Sequence, residues 1–118
     1  MTTKTQLLGR YGEEQAARYL ENKGYQILDR NARTAAGEVD IVATDGGTLV
    51  FVEVKTRSTN FSGHPLQAIT PRKVATIRRV AAGWCATHKV TNTQVRFDAV
   101  SVLIASGRLT FEHLLQVC

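Results

Sequence analysis

Cysteine is scarce in this chain, which has only Cys85 and Cys118, and the two form no CxxC pair. A disulfide scaffold would use more of them, so reduced thiols in a cytoplasmic setting are expected. Long apolar runs are missing too. No stretch approaches the ~20 apolar residues that a bilayer span needs, and Met1 to Leu8 carries one lysine and no apolar core of a signal sequence. Membrane insertion and secretion are therefore not expected. Repeats, low-complexity tracts and Pro/Ser-rich linkers are absent as well, which leaves one continuous series of elements. A further absence is electrostatic. From Val54 to Phe97 there is no acidic residue, while Lys55, Arg57, Arg72, Lys73, Arg78, Arg79, Lys89 and Arg96 all fall there. Such a one-signed block attracts a polyanion, nucleic acid first of all, although a solvated basic surface accounts for the same count.

The 118 residues, 43% of them hydrophobic, fit a single domain over 1–118. At that size a chain buries roughly two thirds of its unfolded surface, enough for a core without staples. Leu8, Tyr11, Ala16, Tyr19 and Leu20 recur at helical spacing from about Thr5 to Lys23, with Gly24 as the stop and Gly9 and Gly12 weakening the first half. Tyr25 to Arg30 reads as a short strand and Asn31 to Ala36 as a polar loop. Glu38 to Val42 and Leu49 to Lys55 are β-branched runs flanking Thr44-Asp45-Gly46-Gly47-Thr48, a hairpin signal. Phe61 to Leu66 reads as a loop. Thr70-Pro71 then supplies an N-cap and a first helical proline, and Val74, Ile77, Val80, Ala81 and Trp84 form the buried stripe of a helix ending near His88 or Lys89. Val95 to Leu103 and Arg108 to Leu114 are the last strands. The order is α-β-β-β-α-β-β, an α/β domain with a mixed five-stranded sheet and a helix on each face, in which the strands joined by the second helix run parallel.

Strand alternation puts Glu38 and Asp40 on one face of the first hairpin strand and Phe51, Glu53, Lys55 and Arg57 on one face of the second. An even turn at Gly46-Gly47 places Asp40 opposite Glu53, and this register is expected because it gathers Val39, Ile41, Val50, Val52 and Val54 on the other face. Carboxylates about 5 Å apart repel by roughly 3 kcal/mol at an effective dielectric near 20, so the pair must protonate or recruit a cation. Mg²⁺ or Mn²⁺ fits, since Mg²⁺ takes one or two carboxylates and keeps waters. Lys55 could then hold or deprotonate a water or neutralise phosphate charge, which together suits phosphodiester hydrolysis. By spacing alone, a salt-bridged solvent face explains the same residues.

Gly37-Glu38-Val39-Asp40-Ile41-Val42 followed by Leu49-Val50-Phe51-Val52-Glu53-Val54-Lys55-Thr56-Arg57 closely resembles the YraN family of uncharacterised bacterial proteins. Gly9-Arg10-Tyr11-Gly12-Glu13, Ala16, Tyr19-Leu20, Gly24 to Leu28, Asn31, Arg33 and Arg96-Phe97-Asp98 extend the resemblance over most of the chain. That family is similar to the restriction-endonuclease-like, or PD-(D/E)xK, nucleases and in layout to archaeal Holliday junction resolvases. The resemblance implies Asp40 and Glu53 as metal ligands, Lys55 as the catalytic lysine and Glu13 as an accessory acid. Val39 replaces the namesake proline, and Gln67 stands after Gly63-His64-Pro65 where an acid is usual.

The remaining candidates divide simply. Glu38 is a third acid or a partner for Arg57. Arg57 can clamp a phosphate bidentately, and Arg72, Lys73, Arg78 and Arg79 would contact backbone phosphates without reading bases. His64 is a turn residue or a phosphate contact, Tyr19 and Trp84 are core by spacing, and Asp98 is structural. Two functions follow: a metal-dependent endonuclease acting on DNA, branched DNA included, or a non-catalytic nucleic-acid-binding module on the same fold. Cutting two strands would require a homodimer.

Overall fold

The structure, a computed structural model, describes residues 3–58 and 70–117. The expected loop with His64, together with Gln67 and Cys118, lies outside them. Seven elements follow one another: α1 (Lys4–Asn22), β1 (Gln26–Thr34), β2 (Gly37–Asp45), β3 (Thr48–Ser58), α2 (Pro71–Thr87), β4 (Val95–Ala105) and β5 (Arg108–Leu114). Helix α1 starts with a capping box, in which the Gln6 N–H donates to Thr3 Oγ1 at 3.1 Å and the Thr3 N–H donates to Gln6 Oε1 at 2.9 Å. Helix α2 starts as its sequence dictates, with Thr70 capping the Lys73 N–H and Pro71 in the first turn. Among the described residues, no helix is long and apolar enough to cross a membrane.

The sheet is β1-β2-β3-β4-β5 in spatial order. Only the β3/β4 pair is parallel, because α2 carries the chain back across the sheet before β4 begins. Each face has its own core. Ala16, Ala17 and Leu20 of α1 pack on Ile41, Ala43, Val50, Val52, Val54, Val100 and Val102, whereas Val80, Ala81 and Trp84 of α2 pack on Ala32, Val39, Val42, Leu49 and Phe51. The helix-on-each-face architecture therefore follows from strands apolar on both sides.

Four sequence expectations need correction. The presumed loop Asn31 to Ala36 is mostly strand: residues 32–34 pair with β2, and only Ala35-Ala36 turn. Its polar composition reflects an edge strand with one solvated side, where Ala32 alone of the last residues is buried. Tyr11 is 48% exposed and does not belong to the buried stripe of α1. Val39 lies in the α2 core rather than beside Ile41, because strand alternation is interrupted at Asp40 between them. Glu38 pairs with Arg33, its cross-strand neighbour, at 3.1 Å.

Gly12 occupies the place on α1 that a larger side chain would otherwise take. A Cβ there would lie 1.7 Å from Thr56 Oγ1 and 2.7 Å from Thr56 Cβ, so only glycine lets the helix lie on β3 at this point. Gly12→Ala is expected to lower unfolding free energy by about 1 to 3 kcal/mol in a denaturant titration. Adding Thr56→Ala, which removes the two nearest contacts but leaves Cβ, should recover part of the loss. An unchanged midpoint in the single variant would show that the helix is not seated there.

Candidate active site

The β2–β3 hairpin builds the site. Gly46 and Gly47 both have positive φ, +55° and +93°, the conformation of a tight two-residue turn that matches strand twist. Asp45 faces Thr48, and the register runs on through Ala43/Val50 to Ile41/Val52. One step further brings Asp40 across from Glu53, the register expected from the sequence. There the ladder stops. The Val54 N–H donates to Asp40 Oδ2 at 2.7 Å, so a side-chain carboxylate receives the bond that strand pairing would otherwise provide.

Glu53 is 8% exposed, buried on the α2 side of β3. Its Oε1 lies 3.3 Å from Lys73 Nζ, while its Oε2 is buried with no hydrogen-bond partner among the described residues. The Asp40 carboxylate lies near enough for its charge to disfavour the Glu53 anion. Burial pushes Glu53 up to about 7, helped by the Asp40 charge and opposed by Lys73 and Lys55. Burial also raises Asp40, against the pull of the Val54 N–H and Lys73. The pair thus binds a proton more tightly than isolated carboxylates do, and a cation would compete with that proton.

Glu13 reaches the site from α1. Burial, then the Asp40 charge, raises its pKa, while Arg30 and a hydrogen bond with Asn31 oppose the shift. Lys55 is half-buried on the Glu53 face of β3, near enough for its charge to stabilise the Glu53 anion. The structure therefore brings Asp40, Glu53, Lys55 and Glu13 to one place, the point where β2 and β3 part. Arg57 continues that strand face, half-buried.

Lys73 is the residue that sequence reasoning placed differently. It was expected among the phosphate contacts of α2, but it reaches back to Glu53. No local sequence pattern marks this contact, which depends on how α2 lies across the sheet. Arg72 and Arg79 are exposed on α2, and Arg78 lies with its guanidinium 5.8 Å from the Phe97 ring centroid. Tyr19 stacks on Phe111 with centroids 4.6 Å apart, and Trp84 is buried with its Nε1–H donating to Asp29 Oδ2, so both are packing residues.

A second polar cluster lies under the other end of α1. Asp98, 1% exposed, accepts two bonds from Arg96 at 2.9 Å, one from the Gln116 N–H at 3.0 Å and one from His113 Nε2 at 2.8 Å. Arg96 also donates to Tyr25 Oη at 2.7 Å and to Asp45 Oδ2 at 3.1 Å. Lys23 Nζ lies 2.6 Å from His113 Nδ1, which leaves Nε2 to carry the proton. Every group is satisfied, so this is a structural network, as expected for Asp98; His113 was not anticipated.

The sequence profile of the uncharacterised protein family UPF0102 matches residues 12–102. The chain belongs to the UPF0102 family. It is 50% identical to the UPF0102 protein of Beutenbergia cavernae over 108 residues, covering 91% of this chain and 92% of that protein. It is similarly 51% identical to the UPF0102 protein of Leifsonia xyli, covering 91% and 92%. At greater distance it is 41% identical to that of Syntrophomonas wolfei, covering 92% and 94%. The UPF0102 match spans Glu13, Asp40, Glu53, Lys55, Lys73 and Asp98, so the acidic pair and the Arg96–Asp98 part of the second cluster fall within it, while His113 and Gln116 lie beyond it.

Proposed function

We propose that this protein is a metal-dependent endonuclease on a restriction-endonuclease-like fold, hydrolysing phosphodiester bonds of DNA, with branched and four-way-junction DNA the first substrates to try. One observation carries the reading: buried Glu53 meets half-buried Asp40 where β2 and β3 separate, and Glu53 Oε2 has no hydrogen-bond partner among the described residues. A buried carboxylate oxygen left unpaired is costly unless something else coordinates it. The donor set suits a hard divalent cation. Both proposed ligands are carboxylates, and since among the described residues no group of three or more His, Cys, Asp or Glu could hold a metal ion, Asp40 and Glu53 would hold it together with waters.

Asp40 and Glu53 would hold Mg²⁺ or Mn²⁺, which when bound supplies Lewis-acid polarisation of the phosphate and a more acidic water. The chain's own residues do the rest. The Val54 N–H fixes the Asp40 carboxylate, so this ligand is oriented before any substrate arrives. Lys55 Nζ, on the same strand face as Glu53, is placed to orient a water or to neutralise charge growing on the phosphate oxygens. Lys73 balances the anionic pair from α2. Glu13 adds a further acid beside Asp40, and the exposed Arg72 and Arg79 give the sequence-independent affinity for phosphate that a structure-selective nuclease needs.

The test is cleavage of labelled single-stranded, duplex, flapped and four-way-junction DNA with Mg²⁺, Mn²⁺ or chelator, beside Lys55→Met. Wild type should cut only with metal, and Lys55→Met should cut about a hundredfold to ten-thousandfold more slowly, the usual range for a lost proton-transfer group. DNA binding that persists in wild type without cutting would replace this reading with that of a binding module.

A further inference from the structure

Glycine within a helix weakens it relative to alanine, so each one calls for a reason. Thr56 explains Gly12. Nothing among the described residues explains Gly9, three residues earlier: a Cβ there would meet none of their atoms within 4 Å, and its φ is not in the left-handed region. Gly9 instead borders a cleft of about 530 Å³ between α1 and the β1–β2 hairpin, lined by Gly9, Arg10 and Glu13 on one side and Asn31, Arg33 and Glu38 on the other. Arg72, Arg78 and Arg79 are not among its walls; they belong to α2, which packs on the opposite face of the sheet.

The cleft leads to the acidic pair. Glu38 on its wall is two residues from Asp40 along β2, and Asn31 on the same wall falls between the partners of Ile41 and Val39, opposite Asp40, so this wall marks the end of the cleft nearest to Asp40. Arg10 is exposed, and Arg33, 82% exposed at its side chain, uses one donor on Glu38 and has others left for a second anion. A bare stretch of helix backbone with arginines on both walls suits a sugar–phosphate chain lying close against α1.

We propose that this cleft seats the backbone of the nucleic-acid strand beside the Asp40–Glu53 pair, with Gly9 permitting close approach and Arg10 and Arg33 each contacting a phosphate. The inference rests on the nuclease reading and names where its substrate binds. It separates affinity from stability in an unusual direction. Glutamine at position 9 meets open space and favours the helix, so Gly9→Gln should melt no lower than wild type yet fill the seat of the strand.

The experiment measures binding of labelled single-stranded and four-way-junction DNA in chelator, where nothing is cut, alongside thermal melting. Gly9→Gln should bind at least about tenfold more weakly with an equal or higher melting temperature, a factor well above the scatter of titrations. Arg10→Gln and Arg33→Gln should each reduce the slope of log affinity against log salt by about one. Wild-type affinity and slopes in all three variants would overturn the proposal while leaving metal-dependent cutting by wild type intact. A Gly9→Gln variant that loses affinity only because it melts lower would also overturn it, by giving Gly9 a packing role. If wild type neither binds nor cuts any of these DNAs, the nuclease reading falls first and this inference with it.

Discussion

Replacing Glu53 by glutamine is expected to lower metal-dependent cleavage about a thousandfold or more, and to make the metal-free protein more stable at about pH 8. The loss of activity would follow from removing one of the two proposed ligands, since a metal's contribution to the transition state is worth several kcal/mol and each 1.36 kcal/mol is about tenfold in rate. The gain in stability follows from the pair's electrostatics. Glu53 titrates near 7 in the fold against an ordinary 4.5, because burial and then the Asp40 charge disfavour its anion. The folded protein therefore binds the proton more tightly than the unfolded chain. Its contribution is fully present below about pH 4.5 and is lost as pH rises through about 7, a difference on the order of 3 kcal/mol. Glutamine stays neutral throughout. Urea midpoints for wild type should fall between about pH 5 and pH 8, while those for Glu53→Gln stay nearly level over that window. Parallel curves would mean that Glu53 is not strained by its site, and the argument for a recruited cation would lose its footing.

Asp98→Ala is expected to destabilise the protein by about 3 to 5 kcal/mol at neutral pH, a large share of the 5 to 15 kcal/mol typical of a small domain. Burial raises the Asp98 carboxyl, but bonds from His113, Arg96 and the Gln116 N–H outweigh it and hold the group below its ordinary range. Alanine would leave two Arg96 donors and the His113 Nε2–H facing a void with no acceptor, while Arg96 keeps its bonds to Asp45 and Tyr25. Because the folded carboxyl is the stronger acid, its stabilisation is present above the unfolded value near 3.8 and disappears as pH falls through the lower folded value. The variant's deficit should therefore narrow in acid. An Asp98→Ala protein that unfolds at the wild-type denaturant midpoint would show the network to be decoration.

The two clusters also show what can be read from residues alone. Gly46-Gly47 between β-branched runs specifies a two-residue turn, and the turn fixes the pairing, so the meeting of Asp40 and Glu53 was legible before any coordinates. Thr70-Pro71 marks the start of α2 just as plainly. What escaped depended on how elements dock. Lys73 finds Glu53 because α2 is laid across the sheet face that Glu53 occupies, and no local pattern records that placement. His113 meets Asp98 diagonally, since it lies opposite Val100, two residues along the same face of β4. Val39 changed faces because the Asp40 carboxylate, bound to the Val54 N–H, interrupts the alternation on which the sequence argument relied. The end of β1 looked like a loop because an edge strand with one wet face carries polar residues.

Calorimetric titration of Mn²⁺ into the metal-free protein at about pH 8 tests most directly whether the paired acids exist to hold a cation. One ion should bind per chain, with affinity weakening as pH is lowered through about 7, and Asp40→Asn or Glu53→Gln should abolish the heat. A wild-type protein that takes up no ion, or variants that take it up as wild type does, would contradict the account.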